Sequence, residues 1–192
     1  MSTQRGQLVV VTGPSGAGKD SVINTAKELG LEFGQVVTTS TRPKRLDEQA
    51  GDPYYFVTVE QFKASLAADE LIEWAEVYGN YYGCTKAEIE RKLADHAVVI
   101  VKVDPQGARA YKALYPDTTT IFIMPPSYEY LEKRLVNRET DSKEVIKQRL
   151  ATAQKELENL LDWDYLVVNE EGKLKEAAEE VIQIINKNKD KV

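Results

Sequence analysis

Residues 13–19 read GPSGAGK and lie between a continuous apolar run and a segment with helical periodicity. The run from Leu8 to Val11 is typical of a buried strand. The helix predicted after the glycines begins near Lys19 and ends at Gly30. Its buried face is predicted to hold Val22, Ile23, Ala26 and Leu29. A glycine-rich turn with a lysine at the start of a helix is a strong constraint on the fold, because this connection belongs to α/β sheets.

The same segment predicts a phosphate-binding loop. Glycines let successive backbone N–H groups point at an anion, and the helix N-terminus adds the positive end of its dipole. Lys19 completes the pattern G-x-x-x-x-G-K and supplies a positive charge for the β- and γ-phosphates of a nucleotide. The next residue is Asp20, although a Ser or Thr hydroxyl usually binds Mg²⁺ at this position. A carboxylate there repels a triphosphate unless a cation lies between them.

Three later segments are predicted to be further strands of the same sheet. They span residues 98–103, 120–124 and 165–168, and they are rich in β-branched residues. A helix is predicted from Gln106 to Leu114. Buried strands that alternate with helices favour a doubly wound parallel α/β sheet that is covered on both faces.

A block with a different composition interrupts this pattern, and we predict an inserted mixed α+β subdomain over residues 38–92. It contains a short helix (residues 60–68). Residues 71–77 alternate between apolar and acidic side chains, which predicts a half-buried antiparallel strand. The turn at Gly79 and Asn80 predicts a hairpin. The core would then comprise residues 1–37 and 93–192, with a polar lid at about 138–147.

Composition excludes several classes of protein. The 192 residues carry 31 acidic and 25 basic side chains, a net charge of −6, which argues against a broad nucleic-acid surface. A single cysteine excludes an internal disulfide framework and a four-cysteine zinc site. No apolar run reaches the ~20 residues of a membrane span. We therefore predict a cytoplasmic protein that binds neither membranes nor nucleic-acid polymers.

Several blocks in fixed order extend the comparison beyond the loop. They are TSTRPKR at 39–45, YYFVT at 54–58, EWAEVYGNYYG at 73–83, DPQGA at 104–108, PPS at 125–127, RLVNRETDS at 134–142 and VVN at 167–169. With the loop, these blocks resemble the guanylate kinase family over nearly the whole chain. The resemblance implies a P-loop NTPase core, a GMP-binding insertion and a lid. It also implies transfer of the γ-phosphoryl group of MgATP to GMP, giving GDP and ADP.

The resemblance and the chemistry of GMP point to the same acceptor residues. Arg42 and Arg45 suit a dianionic phosphate, since a guanidinium fork binds phosphate bidentately. A carboxylate at Glu73 would accept both guanine N1–H and N2–H₂, and adenine lacks these two donors. The family's two phosphate-binding tyrosines fall on Tyr54 and Tyr82. The resemblance adds Thr38, Gly83, Cys84, Thr85 and Asp104 to the GMP site.

The donor site and the transfer step follow from the loop and from the resemblance. Phosphoryl transfer needs positive charge around the moving group. The resemblance implies that the residues acting in transfer are Lys19, Arg134, Arg138, Arg149 and Asp104. It implies an ATP site formed by Gly13, Pro14, Ser15, Gly16, Ala17, Gly18, Lys19, Asp20, Ser21 and Asn169, with Asn169 near the adenine.

Three residues depart from the family pattern, namely Asp20, Lys102 (in place of an acid at a strand end) and Cys84 (in place of a serine). We hypothesise that Asp20 and Lys102 form a swapped ion pair in which each buried charge has its partner. Mg²⁺ would then be held by phosphates and water, with Asp104 as a further candidate ligand. The rival hypothesis makes Asp20 itself the metal ligand. A monovalent cation is a second candidate cofactor.

Two other readings stay open at this stage. The loop sequence ending in Lys-Asp also resembles ribose 1,5-bisphosphate phosphokinases, although that group lacks the guanine-binding block. A guanylate-kinase-like binding module with little or no turnover is the other alternative. The sequence does not distinguish a monomer from a homodimer.

Overall fold

The computed structural model describes residues 5–45, 48–51, 53–136 and 143–189. The strands are β1 (Gln7–Thr12), β2 (Gly34–Gln35), β3 (Thr38–Ser40), β4 (Gln49–Ala50), β5 (Pro53–Phe56), β6 (Leu71–Val77), β7 (Asn80–Thr85), β8 (Val98–Lys102), β9 (Thr119–Met124) and β10 (Tyr165–Val168). The helices are α1 (Lys19–Glu28), α2 (Val59–Ala67), α3 (Lys86–Asp95), α4 (Pro105–Leu114), α5 (Tyr128–Val136), α6 (Lys143–Leu157) and α7 (Leu174–Asn188).

The first sheet has the strand order β10-β9-β1-β8-β2, and all of its pairs are parallel. Its central strand β1 is buried along its whole length. Val9 and Val11 pack in one apolar cluster with residues of α1 and α7, whereas Leu8 and Val10 pack in another with residues of α3 and α4. Successive side chains of a strand point to opposite faces, so both faces are covered by helices. The predicted doubly wound parallel sheet is confirmed.

The register of this sheet brings three chain segments together at its carboxyl edge. Val11 of β1 lies opposite Lys102, the last residue of β8. Thr12 lies opposite Phe122 of β9, whose Met124 pairs with Val168 of β10. The residues that follow β1, β8 and β10 therefore meet at one edge, where ligands bind in open α/β sheets.

The second sheet has the order β4-β5-β3-β7-β6, with antiparallel β3–β7 and β6–β7 pairs. Tyr78 (φ 51°) and Gly79 (φ 74°) form the turn between β6 and β7, as expected for a two-residue hairpin loop with positive φ at both positions. The predicted hairpin is therefore confirmed, but its turn lies one residue earlier than predicted, because Asn80 is already the first residue of β7. All of this sheet lies between residues 38 and 85; the exact limits of the insertion remain a prediction.

Two details of the sequence interpretation are wrong. Leu29 is 41% exposed, because α1 ends at Glu28 and Leu29 is the residue that terminates it. The apolar–acidic alternation of β6 does not give a buried face along the whole strand, since Trp74 and Val77 are 46% and 44% exposed. β6 is an edge strand, and only its first two residues are buried.

The predicted lid lies only partly within the described residues. Its residues 138–142, Arg138 among them, fall outside the described ranges, and residues 143–147 form the start of α6. None of the described helices has both the length and the hydropathy to cross a bilayer.

Candidate active site at the carboxyl edge of the parallel sheet

The loop between β1 and α1 has the backbone geometry that its glycines predict. Gly13, Gly16 and Gly18 have φ values of 135°, 91° and 91°. A Cβ atom at Gly13 would lie 2.3 Å from the carbonyl oxygen of Ile123, so β9 leaves room only for glycine. The Lys19 ammonium donates to the carbonyl oxygens of Gly13 and, at 3.2 Å, of Pro14. The lysine thus folds back over the loop.

Three further predicted residues surround this loop. The Asn169 amide is buried and donates to the carbonyl oxygen of Ala17 at 2.8 Å. The Arg134 guanidinium would lie 3.2 Å from a Cβ atom built on Gly18. Arg149 of α6 and Ser15 line one cavity of about 290 Å³. Asn169 was expected near the adenine, and its observed contact is with the loop backbone.

A second cavity, of about 320 Å³, lies between the second sheet and the end of β8. Both sheets contribute to it, because Tyr54 and Glu73 come from the second sheet and Lys102 from the first. The predicted GMP-site residues that line this cavity are Thr38, Tyr54, Glu73, Tyr82, Gly83, Cys84 and Asp104. Most of the acceptor residues predicted from the sequence are therefore neighbours in space.

Glu73 is the half-buried carboxylate of this cavity. Burial is the main cause that raises its pKa, to about 7, and the negative charge of Asp104 raises it further. The backbone N–H of Cys84, its cross-strand partner, acts in the opposite direction. A carboxylate held with few compensating contacts can accept hydrogen bonds from a ligand.

The Arg42 side chain contacts two aromatic rings and one acid. Its guanidinium pairs with Glu48 at 2.6 Å and lies 5.5 Å from the ring centroids of Tyr54 and Phe56. The other Glu48 carboxylate oxygen accepts from the Arg45 backbone N–H at 2.8 Å. The Glu48 carboxylate therefore contacts both arginine residues that were predicted to bind phosphate.

Cys84 and Thr85 differ in how they relate to the cavity. Cys84 is buried in the cavity wall, and burial raises its pKa to about 12, so the thiol stays protonated. Thr85 caps α3 by accepting from the Glu88 N–H at 3.2 Å. The residues that line the cavity do not include Arg42, Thr85 or the exposed Arg45.

Asp20 and Lys102 form an ion pair across the edge of the sheet. Their side chains are 79% and 27% exposed, respectively. The contact required by the charge-swap hypothesis is present, but the assumption that both charges are buried is wrong for Asp20. Ser21, the next residue of α1, is also exposed.

Two residues at the site were not anticipated from the sequence. Glu48 is the counter-ion of Arg42, and Glu156 of α6 is half-buried close enough to Lys19 for the two charges to interact. Burial raises the pKa of Glu156, whereas Lys19 lowers it. No motif marks either acid, because each meets its basic partner only through folding.

Asp20 and Asp104, the two candidate ligands of Mg²⁺, each have a partner within the protein. Asp20 is paired with Lys102, and a carboxylate oxygen of Asp104 accepts from the Gly107 N–H at 2.8 Å at the start of α4. Residues 5–45, 48–51, 53–136 and 143–189 contain no cluster of three or more His, Cys, Asp or Glu side chains suited to a metal.

The parallel sheet with a phosphate-binding loop between β1 and α1 defines a P-loop NTPase fold. Within that class, the family model for guanylate kinase matches residues 5–188. The chain belongs to the guanylate kinase family, which is a family of enzymes.

Individual relatives agree with this assignment. The guanylate kinase of Thermosynechococcus vestitus is 44% identical over 168 residues, which cover 88% of each chain. That of Synechocystis is 39% identical over 181 residues, or 94% of each chain. The crystal structure of guanylate kinase from Anaplasma phagocytophilum has a TM-score of 0.70 and 29% identity, covering 97% of this chain and 87% of that one. The Thermus thermophilus protein TT1252, with 16% identity and a TM-score of 0.55 over 95% of this chain and 98% of that one, is similar in fold alone.

Proposed function

We propose that the chain transfers the γ-phosphoryl group of MgATP to GMP, giving GDP and ADP. An oxygen of the GMP phosphate forms the new bond to the γ-phosphorus, and the bond to the bridging oxygen of ADP breaks. The observation that supports this most strongly is the cavity that joins Glu73 and Tyr54 of the second sheet to Lys102, which is ion-paired with Asp20 at the start of the loop helix. An acceptor in this cavity would have its phosphate directed at the loop that binds the donor.

In this proposal the acceptor is selected by hydrogen bonds and held by charge. The ionised Glu73 carboxylate accepts guanine N1–H and N2–H₂, and the Thr38 hydroxyl makes a further base contact. Arg42 exchanges Glu48 for the GMP phosphate, which carries more negative charge and suits the same guanidinium fork. The other proposed acceptor residues are Arg45, Tyr54, Tyr82, Gly83, Cys84, Thr85 and Asp104.

The donor half uses the loop and the basic residues around it. The loop N–H groups bind the ATP phosphates, and Lys19 moves from the loop carbonyls to the β- and γ-phosphates. Arg134 and Arg149, together with Arg138, neutralise charge on the moving group. Mg²⁺ comes with ATP and is held by phosphates and water. A cytoplasmic location with nucleotides as the binding partners fits this reaction.

An acceptor screen with ATP tests the proposal. We expect release of ADP with GMP to exceed that with AMP or ribose 1,5-bisphosphate. Glu73→Gln should raise the KM for GMP by about 10- to 100-fold, the value of paired hydrogen bonds to a base, and leave the affinity for ATP unchanged. Glu76→Gln is the matched control, because Glu76 is an exposed acid on the same strand.

Two results would contradict the proposal. One is a preference for ribose 1,5-bisphosphate as the acceptor. The other is turnover of the wild-type protein no higher than that of Lys19→Ala, which would favour a binding module without catalysis.

A further inference from the structure

We propose that Lys102 is a built-in cation for the donor phosphates, paired with Asp20 until a nucleotide binds, so that the chain binds the ATP triphosphate with little help from Mg²⁺. In P-loop NTPases, Mg²⁺ is generally held by a loop Ser or Thr and by an acid on a neighbouring strand. Here the loop position is an acid and the strand position next to it is a base. The inference rests on the ATP half of the proposed function.

The position of Lys102 is determined by the parallel pairing of β1 and β8. Lys102 lies opposite Val11, two residues before Gly13 begins the loop, and the Val103 N–H continues the ladder to the Val11 carbonyl at 3.2 Å. Asp20 lies in the first turn of α1, directly after Lys19. The ion pair therefore joins the two segments that would hold a metal ion in other members of the fold class.

The charges around the loop support a direct role of Lys102 at the phosphates. A lone Asp20 carboxylate at this helix start would repel a triphosphate. Asp20 and Lys102 together carry no net charge, so the pair does not repel it. The Asp20 side chain is 79% exposed, and exposed ion pairs are weak. Asp20 can therefore turn to solvent when a nucleotide binds and leave the ammonium group of Lys102 to the phosphates.

The cavity supports the same conclusion from the acceptor side. Lys102 lines it together with Glu73 and Asp104, and the Lys102 ammonium contacts Asp20 at the start of the loop helix. A lysine has a flexible four-carbon stem and three donors, which suits contact with a group that moves from one nucleotide to the other.

Nucleotide binding without turnover tests the inference. We would measure by calorimetry the dissociation constant of the β,γ-imido analogue of ATP, with no acceptor present, in excess EDTA and in excess Mg²⁺. For the wild-type protein we expect the two constants to agree within about tenfold. Lys102→Met should weaken binding in EDTA by about tenfold or more, as expected for loss of a charge-assisted contact. Lys175→Met removes an equivalent charge from an exposed i,i+4 pair on α7 and should leave both constants unchanged.

Two further variants keep the test decisive if Lys102→Met does not fold. Asp20→Asn removes an exposed charge and should tighten binding in EDTA, because the repulsion is lost and Lys102 is released. The double variant Asp20→Ser with Lys102→Asp restores the usual arrangement, and Mg²⁺ should then strengthen binding by more than about tenfold.

Other outcomes would overturn the inference. If the wild-type protein binds the ATP analogue only with Mg²⁺, and if Lys102→Met leaves the dissociation constant unchanged, Lys102 is not the cation. If Asp20→Asn weakens binding only in Mg²⁺, Asp20 is the metal ligand. Absence of binding in both buffers would contradict the proposed function itself, which is a different result from metal-dependent binding.

Discussion

Glu73 shows how one residue couples binding to pH. Three causes shift the pKa of Glu73: burial and the charge of Asp104 raise it, and the Cys84 N–H lowers it. No basic side chain is among these causes. Its pKa of about 7 means that half of the molecules carry a protonated Glu73 near neutral pH. In the proposed acceptor site only the ionised form would accept both guanine donors, so we expect GMP binding to depend on pH near neutrality.

We predict that the KM for GMP falls as the pH rises through about 7. The physical reason is that deprotonation of Glu73 creates the acceptor for guanine. Steady-state kinetics between pH 5.5 and 8.5, at saturating ATP, measures this. The GMP phosphate also titrates near pH 6. Glu73→Gln is the reference, because its pH profile retains the titration of GMP and lacks that of Glu73. Identical pH profiles for the two proteins would contradict the role of Glu73.

Glu73 also has a predicted effect on stability. Because its folded pKa lies above the ordinary value of 4.5, its contribution to stability is fully present below about pH 4.5 and is lost as the pH rises through about 7. Glu73→Gln should therefore raise the free energy of unfolding by about 1–3 kcal/mol at pH 8, with little change near pH 4. Urea denaturation at both pH values measures this difference. A destabilised variant at pH 8 would show that the carboxylate is better compensated than its surroundings indicate.

At the scale of elements, the contact between Asn169 and the loop links the last strand of the sheet to the phosphate site. Asn169 follows β10, and its backbone N–H donates to the Met124 carbonyl at 2.8 Å. Its side chain donates to the carbonyl of Ala17, itself fully buried. The end of β10 therefore holds the loop from the side opposite to Lys102, since β9 and β10 lie on one side of β1 and β8 on the other.

We predict that Asn169→Ala weakens ATP binding by about tenfold and lowers the free energy of unfolding by about 1–3 kcal/mol. The variant leaves the buried Ala17 carbonyl without its donor and lets the loop relax. Calorimetry and urea denaturation measure the two effects. Asn159→Ala is the control, because Asn159 is an exposed asparagine whose amide also donates to a backbone carbonyl, that of Lys155 at 3.3 Å. Equal losses in both variants would assign the effect to helix or loop stability in general.

At the scale of the whole molecule, the proposed donor and acceptor sites belong to different sheets. The loop is part of the first sheet, and Glu73 and Tyr54 are part of the second. The cavity with Lys102 and Asp104 in its wall lies where the two sheets meet. Each nucleotide should therefore stabilise the protein through its own set of contacts.

We predict that ATP and GMP each raise the midpoint of thermal unfolding and that single substitutions separate the two effects. A ligand at 100 times its Kd adds about 2.7 kcal/mol to stability by mass action. Glu73→Gln should abolish most of the GMP-induced shift and retain that of ATP, whereas Lys19→Ala should do the reverse. Differential scanning calorimetry measures both. Loss of both shifts in either variant would mean that the two sites are not separable.

Features encoded by neighbouring residues could be predicted from the sequence. The phosphate loop follows from glycines whose positive φ values few other residues tolerate, and the parallel sheet follows from apolar runs that need cover on both faces. The hairpin follows from the glycine of its turn, whereas the positive φ of Tyr78 could not be predicted from the sequence. The resemblance to a family then assigned Glu73 and Arg42 to an acceptor site.

Most contacts between distant residues could not be predicted in this way. The Asp20–Lys102 pair is the exception, because two complementary departures from the family pattern pointed to it. The approach of Glu156 to Lys19 and the bond from Asn169 to Ala17 have no periodic signal, because each depends on how separate elements pack. Arg42 and Glu48 are only six residues apart, but no regular pattern marks their pair either. The burial of individual side chains could not be predicted either. The sequence of β6 has the pattern of a half-buried strand, but Trp74 is exposed because β6 lies at the edge of its sheet. Local backbone preferences are properties of short segments of chain, whereas charge pairing, burial and pKa arise from neighbours that only the folded arrangement supplies.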